Sequence, residues 1–227
     1  MRFLAFISFL FALVCLLVPA AMLKLPPEYL PWTPLDLQVS PNYLTSYKFA
    51  KLVSDPSLCR KALETSQAEF EFLPDRKAGS CELKNLVALR KSLYPYSSPV
   101  NASCAMSAAL ILWEREILGP LTKRYFSSDV RRIEQLGVFA CRNVRNSSSR
   151  ISQHATANAI DISGFVLKNG RVVNISRDWG RESVEGRFLK ELRDKSCHLF
   201  RSVLGPDYNS LHKDHFHFDF GRYRICR

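Results

Sequence analysis

The chain has 227 residues, of which 47% are hydrophobic and 23% charged, a composition that excludes a disordered tail and a multi-spanning membrane protein. Its 12 Pro and 9 Gly show no repeat period, which excludes collagen-like and low-complexity sequences. The net charge of +11 favours an anionic partner, such as nucleic acid, lipid head groups or an acidic cell wall. Nucleic acid is the least favoured of these, because the sequence contains no RNA-recognition, helix-turn-helix or basic-aromatic motif.

The first segment of the chain is strongly apolar. After Met1 and Arg2, residues 3–23 are apolar apart from Ser8 and Pro19. Such a run can cross a hydrocarbon core of about 30 Å as a helix, and it also fits a secretory signal. Residues 1–24 are therefore predicted to be a membrane anchor or a signal segment, with the anchor favoured. In either case the rest of the chain is expected to be exported.

Residues 25–42 contain five of the prolines and are predicted to form a semi-rigid spacer. From residue 43 to the end there is no second linker, repeat or block of like charge. Residues 43–227 are therefore predicted to be one domain, which is long enough to bury a proper core.

Apolar periodicity within this domain predicts both helices and strands. Helices are expected near 43–53 and 56–67, from an N-cap at Ser103 to a stop at Gly119-Pro120, and over about 184–204. Strands are expected at 133–141, 159–166, 172–175 and 215–220, with a hairpin at Asn169-Gly170. This order predicts an α+β domain, in which helices flank a small antiparallel sheet.

The cysteines agree with export. Cys15 lies in the apolar run and is interpreted as an apolar filler. The other six are candidates for three disulfides, and they are Cys59, Cys81, Cys104, Cys141, Cys197 and Cys226. Six cysteines can form three disulfides in 15 different ways, and the sequence does not choose among them. No CxxC pair is present, which argues against zinc-ribbon and thioredoxin-type sites.

The residues able to perform chemistry are concentrated in two segments, which together hold four of the five histidines. The first is SQHATANAIDI, residues 152–162, with a histidine and an aspartate seven residues apart. The second is HKDHFHFDF, residues 212–220, with an HxH pair. Either pattern alone is weak, because structural histidines produce both by chance. Their combination on predicted strands favours metal binding.

Strand alternation predicts which side chains share a face. His215, His217 and Asp219 are expected on one face of the last strand, with phenylalanines on the other. A face of imidazoles and carboxylate is costly to bury unless it stays wet or binds something. If the strand that carries Asp161 pairs with this one, His217 and Asp161 converge with His154. Two histidines, one carboxylate and an open position form the ligand set of a catalytic zinc site.

The pattern SxHxxxxAxD followed by HxH resembles the signature of zinc peptidases that include D-Ala-D-Ala carboxypeptidases, lysostaphin-like endopeptidases and the hedgehog amino-terminal domain. More narrowly, SQHATANAIDISGF, the preceding Cys141-Arg142 and LGPDYNSLHKDHFHFD resemble the bacterial extensin-like C-terminal domain family, over roughly residues 40–227. The chain departs from that family at Ala157, where a glycine is usual. If this position needs a positive φ, alanine there costs energy.

The resemblance implies a role for each residue of the two segments. Three are implied as Zn²⁺ ligands: His154, Asp161 and His217. His215 is implied to act as the general base or to orient the attacking water, and His212 to assist it or to bind the oxyanion. Arg142 is implied to hold a substrate carboxylate or to stabilise the oxyanion. Ser152 is implied to bind the substrate or to support the ligands.

The function inferred from this site, in an exported and basic protein, is zinc-dependent hydrolysis of cell-wall peptide, at a peptidoglycan stem peptide or cross-link. The expected location is the periplasmic side of the bacterial envelope, with residues 3–23 anchoring the protein in the inner membrane or removed on secretion. The alternative is a non-catalytic module that binds cell wall or polysaccharide and keeps a structural zinc site.

Overall fold

The structure is a computed structural model that describes residues 6–9, 13, 25–145 and 147–227. The apolar segment predicted as an anchor or signal falls mostly outside these residues. Within the described part of the chain, no helix combines the length and the apolar character that a membrane crossing requires.

Six α-helices are described. They are α1 (Thr45–Ser54), α2 (Pro56–Glu64), α3 (Cys104–Trp113), α4 (Gly119–Phe126), α5 (Ile175–Asp178) and α6 (Val184–Ser196). A π-helical turn, Glu114–Leu118, joins α3 to α4. Short 3₁₀ helices lie at Pro27–Tyr29, Gln153–Thr156 and Ser210–His212.

The strands form three sheets. They are β1 (Glu69–Phe72), β2 (Arg76–Ala78), β3 (Cys81–Leu83), β4 (Leu86–Lys91), β5 (Val100–Ser103), β6 (Val130–Gly137), β7 (Ala159–Leu167), β8 (Val172–Asn174), β9 (Ser202–Leu204), β10 (Phe216–Asp219) and β11 (Ile225–Cys226). The largest sheet has the order β11-β9-β10-β7-β6, and β8 also pairs with β7. Only β9 and β11 pair in parallel among the described strands of this sheet. The predicted mixture of helices and small antiparallel sheets is confirmed.

Two predicted helix ends are wrong. The helix that begins at the Ser103 cap does not stop at Gly119. It continues through the π-helical turn into α4, because the wider turn accommodates Pro120, which has no backbone N–H to donate. The helix predicted to reach residue 204 ends at Ser196, and the chain then forms β9. Residues of β9 pair with β10 and β11, so tertiary pairing overrides the apolar helical spacing. Strands β1 to β5 were not predicted. All except β4 have only three or four residues, too few for a clear period-2 signal, and β4 begins with a continuous apolar run, which periodicity alone does not assign to a strand.

The core lies against the apolar face of β10. Phe218 stacks on Phe200 with ring centroids 4.6 Å apart, and the Trp113 ring of α3 meets it edge-on at 5.5 Å. Phe216 on the same face packs against Trp179. Burial of these large rings is the main stabilisation of this sheet and leaves the opposite face of β10 for polar side chains.

The stretch predicted as a spacer contacts the domain. Leu35 and Leu37 are buried in the core cluster. The Arg115 guanidinium donates hydrogen bonds to the backbone carbonyls of Leu37 and Val39. Residues 35–39 therefore pack as part of the folded unit.

Three disulfides join the six candidate cysteines. The pairs are Cys59–Cys104, Cys81–Cys141 and Cys197–Cys226. The first ties α2 to the start of α3, the second ties β3 to the segment before Arg142, and the third ties the end of α6 to β11. Disulfide formation is therefore confirmed, and the structure selects one of the open pairings.

Candidate metal centre

His217 and Asp161 are direct partners across two paired strands. In the antiparallel register of β10 and β7, His217 lies opposite Asp161, and the His217 Nδ1 is 2.9 Å from the Asp161 Oδ1. Ile160 and Ile162 are buried on the other face of β7. The alternation of each strand therefore brings the imidazole and the carboxylate to the same side of the sheet.

His154 reaches this point from a 3₁₀ helix. The Ser152 hydroxyl caps that helix by accepting a hydrogen bond from the His154 backbone N–H at 3.3 Å. The helix ends at Ala157, whose φ of 53° is left-handed. The condition under which alanine costs energy at this position is therefore met. Asn158 then fixes the loop, since its side chain bonds both Gln153 and the Ser103 hydroxyl at the start of α3.

The three residues predicted as metal ligands form a tight triangle. The His154 Nε2 is 3.1 Å from the His217 Nδ1 and 3.2 Å from the Asp161 Oδ1. Both imidazoles are almost fully buried, and the mostly buried Asp161 carboxylate lines a cleft. Within the described residues, this is the one group of three or more such side chains that could hold a metal ion.

Hydrogen bonds on the far side of each ring determine where its proton lies. The His154 Nδ1 is 3.0 Å from the Val138 carbonyl oxygen, which can only accept, so we assign the proton to Nδ1. The His217 Nε2 is 3.0 Å from the Asp219 Oδ2, and we assign its proton to Nε2 for the same reason. The neutral rings therefore turn the lone pairs of His154 Nε2 and His217 Nδ1 towards each other and towards Asp161.

Such a triangle of lone pairs needs a positive charge, and a proton or a metal cation can supply it. Burial alone would lower the pKa of His217, but the carboxylates of Asp161 and Asp219 raise that pKa to about 9. Burial would raise the pKa of Asp161, yet the imidazoles of His154 and His217 next to its Oδ1 hold that pKa far below its usual range. Without a metal, the cluster therefore holds a proton on His217 beside an ionised Asp161.

The other two predicted histidines lie next to the triangle. The His215 Nε2 is 3.6 Å from the Asp161 Oδ1, and the His215 Nδ1 bonds the Asp214 carboxylate at 2.8 Å. The His212 ring lies 5.3 Å from the His215 ring, and its Nδ1 bonds the Asn209 side-chain oxygen at 2.8 Å. Burial and the neighbouring histidines lower the pKa of His212 to about 4, so it is neutral at pH 7.

The cluster opens into a cleft of about 550 Å³ with a basic lining. Four arginines line it: Arg142, Arg145, Arg150 and Arg222. Their side chains are exposed, and no acidic side chain of the described residues forms an ion pair with them. Among the residues that the structure describes, the carboxylates that line the cleft are Asp161 and Asp219, which both bond histidines. Arg142 itself donates to the Asn143 carbonyl at 3.2 Å.

Several supporting groups were missed by the sequence reasoning. Asp219 was expected on the histidine face, but its bond to His217 was not inferred, although the HxHxD alternation carries that signal. Asp214 and Asn209 orient His215 and His212 and are adjacent or near in sequence. The Val138 carbonyl that orients His154 has no sequence signal, because backbone groups are the same in every residue.

Comparison with known proteins gives one result. The family model described as extensin-like protein C-terminus matches residues 57–227 and so covers all the histidines of the cluster. No curated protein and no solved structure matches the chain.

Proposed function

We propose that this chain, which belongs to the extensin-like protein C-terminus family, is an exported zinc-dependent hydrolase of cell-wall peptide. The observation that carries the proposal is the convergence of the His154, His217 and Asp161 lone pairs, each ring being oriented from behind by an acceptor. Histidine ligands of metals usually donate their second ring N–H to a carboxylate or a carbonyl, as both do here.

The spacing of the triangle suits zinc. Ligands about 2.0–2.1 Å from a tetrahedral zinc lie about 3.3 Å from one another. The three atoms here are 2.9–3.2 Å apart, so a slight separation accommodates the ion. Three protein ligands with a free fourth position would be the arrangement of catalytic rather than structural zinc sites, and all three residues line the cleft.

The neighbouring residues supply the remaining chemistry. Bound zinc would activate water and polarise the scissile carbonyl. His215 has the position and the Asp214 support of a general base that takes the proton of that water. His212 is a neutral imidazole next to His215 and can relay the proton or bind the developing oxyanion. Ser152 holds the His154 loop by its cap, and it also lines the cleft where a substrate would lie.

The cleft favours an anionic substrate with some apolar surface. Arginine forks bind carboxylates in a planar geometry, and the four cleft arginines lack acidic partners within the described chain. The cleft also presents exposed apolar side chains: Val144, Ile151, Tyr208, Leu211 and Tyr223. Peptidoglycan stem peptides carry free carboxylates and alanine methyl groups, which match both features.

The test is hydrolysis of purified muropeptides by the full chain in detergent. We expect peptide or amino-acid products, loss of activity after chelation, and recovery when zinc is returned. If the protein binds zinc and cell-wall material but releases no product, the non-catalytic binding module is the correct function. If it binds neither zinc nor another divalent metal, both functions are wrong.

A further inference from the structure

An exposed aromatic face lies far along the chain from the histidine segments. It consists of Tyr29, Trp32, Tyr43, Tyr47 and Lys51, and we call it the aromatic face. The exposed fractions of its rings are 40% for Tyr29, 59% for Trp32, 76% for Tyr43 and 47% for Tyr47. Single exposed apolar side chains are common, but a contiguous group of them marks an interaction surface.

Contacts join these residues in two neighbouring groups. The rings of Tyr29 and Tyr43 lie 6.1 Å apart. The Lys51 ammonium lies 4.6 Å above the Tyr47 ring and 3.3 Å from the carbonyl oxygen of Pro31, the residue before Trp32. The face therefore combines two parts of the chain, the Pro-rich stretch and α1.

Hydrogen bonds between α1 and the Pro-rich stretch hold the aromatic face in place. The partly buried Lys48 ammonium bonds the Thr33 hydroxyl at 2.9 Å and the Pro27 carbonyl at 3.3 Å. Asn42 donates a hydrogen bond to the Glu28 carbonyl at 3.1 Å. These bonds fix the Pro-rich stretch on α1, so the aromatic rings form a preformed surface.

We propose that the aromatic face docks on the surface of a phospholipid bilayer. Tyrosine and tryptophan are enriched at membrane interfaces, because their rings are apolar and their N–H and O–H groups are polar. Lysine at such a surface keeps its stem in the apolar layer and its ammonium in water.

The sequence next to the aromatic face indicates that a bilayer is what this face contacts. Residues 3–23 are predicted to be an anchor or a signal segment, with the anchor favoured, and only five residues lie between Leu23 and Tyr29. An extended chain of that length spans about 20 Å at most, so the aromatic face would stay close to the lipid head groups. Docking would hold the domain against the membrane instead of leaving it on a loose tether. This proposal does not depend on zinc.

Trp32 fluorescence provides the test. The full chain and its Trp32→Phe variant are each placed in phosphatidylcholine vesicles, with and without brominated lipid. The fluorescence of the variant is subtracted from that of the parent, and the difference is the emission of Trp32. We expect brominated lipid to remove most of that emission and aqueous iodide to affect it little. Trp179→Phe is the control, because the Trp179 emission isolated in the same way should be insensitive to brominated lipid. Quenching of Trp32 by iodide and not by brominated lipid overturns the proposal.

A second variant separates docking from tethering. Tyr43→Ser combined with Tyr47→Ser changes two exposed rings, and unchanged thermal unfolding would establish that the fold is intact. We expect this variant to stay in the vesicle fraction while its Trp32 becomes accessible to iodide. If Trp32 stays as protected as in the parent chain, the tether alone positions it and the docking face is wrong. Failure of the full chain to enter the vesicle fraction also overturns the proposal.

Discussion

The His217 Nδ1 and the His154 Nε2 lie 3.1 Å apart, and each ring bonds a protein acceptor through its other nitrogen. Two neutral imidazoles oriented in this way cannot hydrogen-bond to each other, because neither has a proton between them to donate. The arrangement is stable only around a positive charge, and the Asp161 carboxylate beside it strengthens that requirement.

The two histidines of the HxH pair should respond differently to removal. His217→Ala removes one corner of the triangle, and we expect loss of both bound zinc and thermal stability. His215→Ala leaves the triangle intact, so zinc and fold should persist while hydrolysis falls by about 10²–10⁴, the usual contribution of a general base. Metal analysis, thermal unfolding and muropeptide digestion of the three proteins check this. Loss of zinc from His215→Ala would show that the ligand assignment is wrong by two residues.

Asp219 should affect zinc affinity without being a ligand. Asp219→Ala removes the acceptor of the His217 Nε2 proton, and we expect zinc affinity to fall by about 10- to 100-fold. Asp219→Asn keeps an oxygen acceptor and should lose less. Competition with a chromophoric chelator measures the affinities. Asp214→Ala is the matched control, since Asp214 bonds His215, which is not a proposed zinc ligand. The zinc affinity of this variant should equal that of the parent chain.

The cleft arginines should determine substrate affinity. Arg145→Ala, Arg150→Ala and Arg222→Ala should each raise the KM for an acidic peptide by roughly two- to tenfold, because one partly solvated charge contact is lost. Bound zinc should not change. Arg187→Ala, which lies in a different cleft, is the control and should leave KM unaltered. KM values equal to that of the parent chain in all four variants would show that these arginines do not contact the substrate.

The pH dependence of stability should report Glu114, which is buried at the end of α3. Burial raises its pKa from the ordinary value of 4.5 to about 7, although Tyr96 and Ser92 donate hydrogen bonds to it. A carboxyl with a raised folded-state pKa contributes stability that is complete below pH 4.5 and lost as the pH rises through about 7. We expect Glu114 to contribute a decrease on the order of 3 kcal/mol over that interval.

Chemical denaturation at several pH values measures this contribution as a difference from Glu114→Gln. The slope of stability with pH is the relevant quantity, because the amide of the variant faces the Tyr94 backbone N–H and this changes the absolute stability. Parallel curves for the parent and the variant between pH 5 and pH 7.5, about the interval between the two pKa values, would contradict the prediction.

The disulfides should leave few free thiols. In the denatured and unreduced full chain, we expect at most one reactive thiol, that of Cys15, because the other six cysteines are paired. Reduction should destabilise the domain by about 2–4 kcal/mol for each bridge. Cys81→Ala should expose one new thiol, whereas the double variant with Cys141→Ala should expose none. Detection of six or seven thiols in the parent would also argue against export.

Much of the site was predictable because it depends on local geometry. Strand alternation alone placed His215, His217 and Asp219 on one face of β10, and the Ser103 cap located the start of α3. These features depend on residues that are close in sequence, whose backbone geometry constrains one another directly.

Only the tertiary structure decided which distant groups meet. It selected the register that sets His217 opposite Asp161, and it paired Cys59 with Cys104 among the open possibilities. It also turned residues 202–204 from a predicted helix into β9, because β10 and β11 offered backbone partners on both sides. Such contacts are chosen by the burial of the whole core, to which many remote residues contribute. A local pattern cannot specify them, and the Val138 carbonyl behind His154 is the clearest case, since no side chain identifies it in advance.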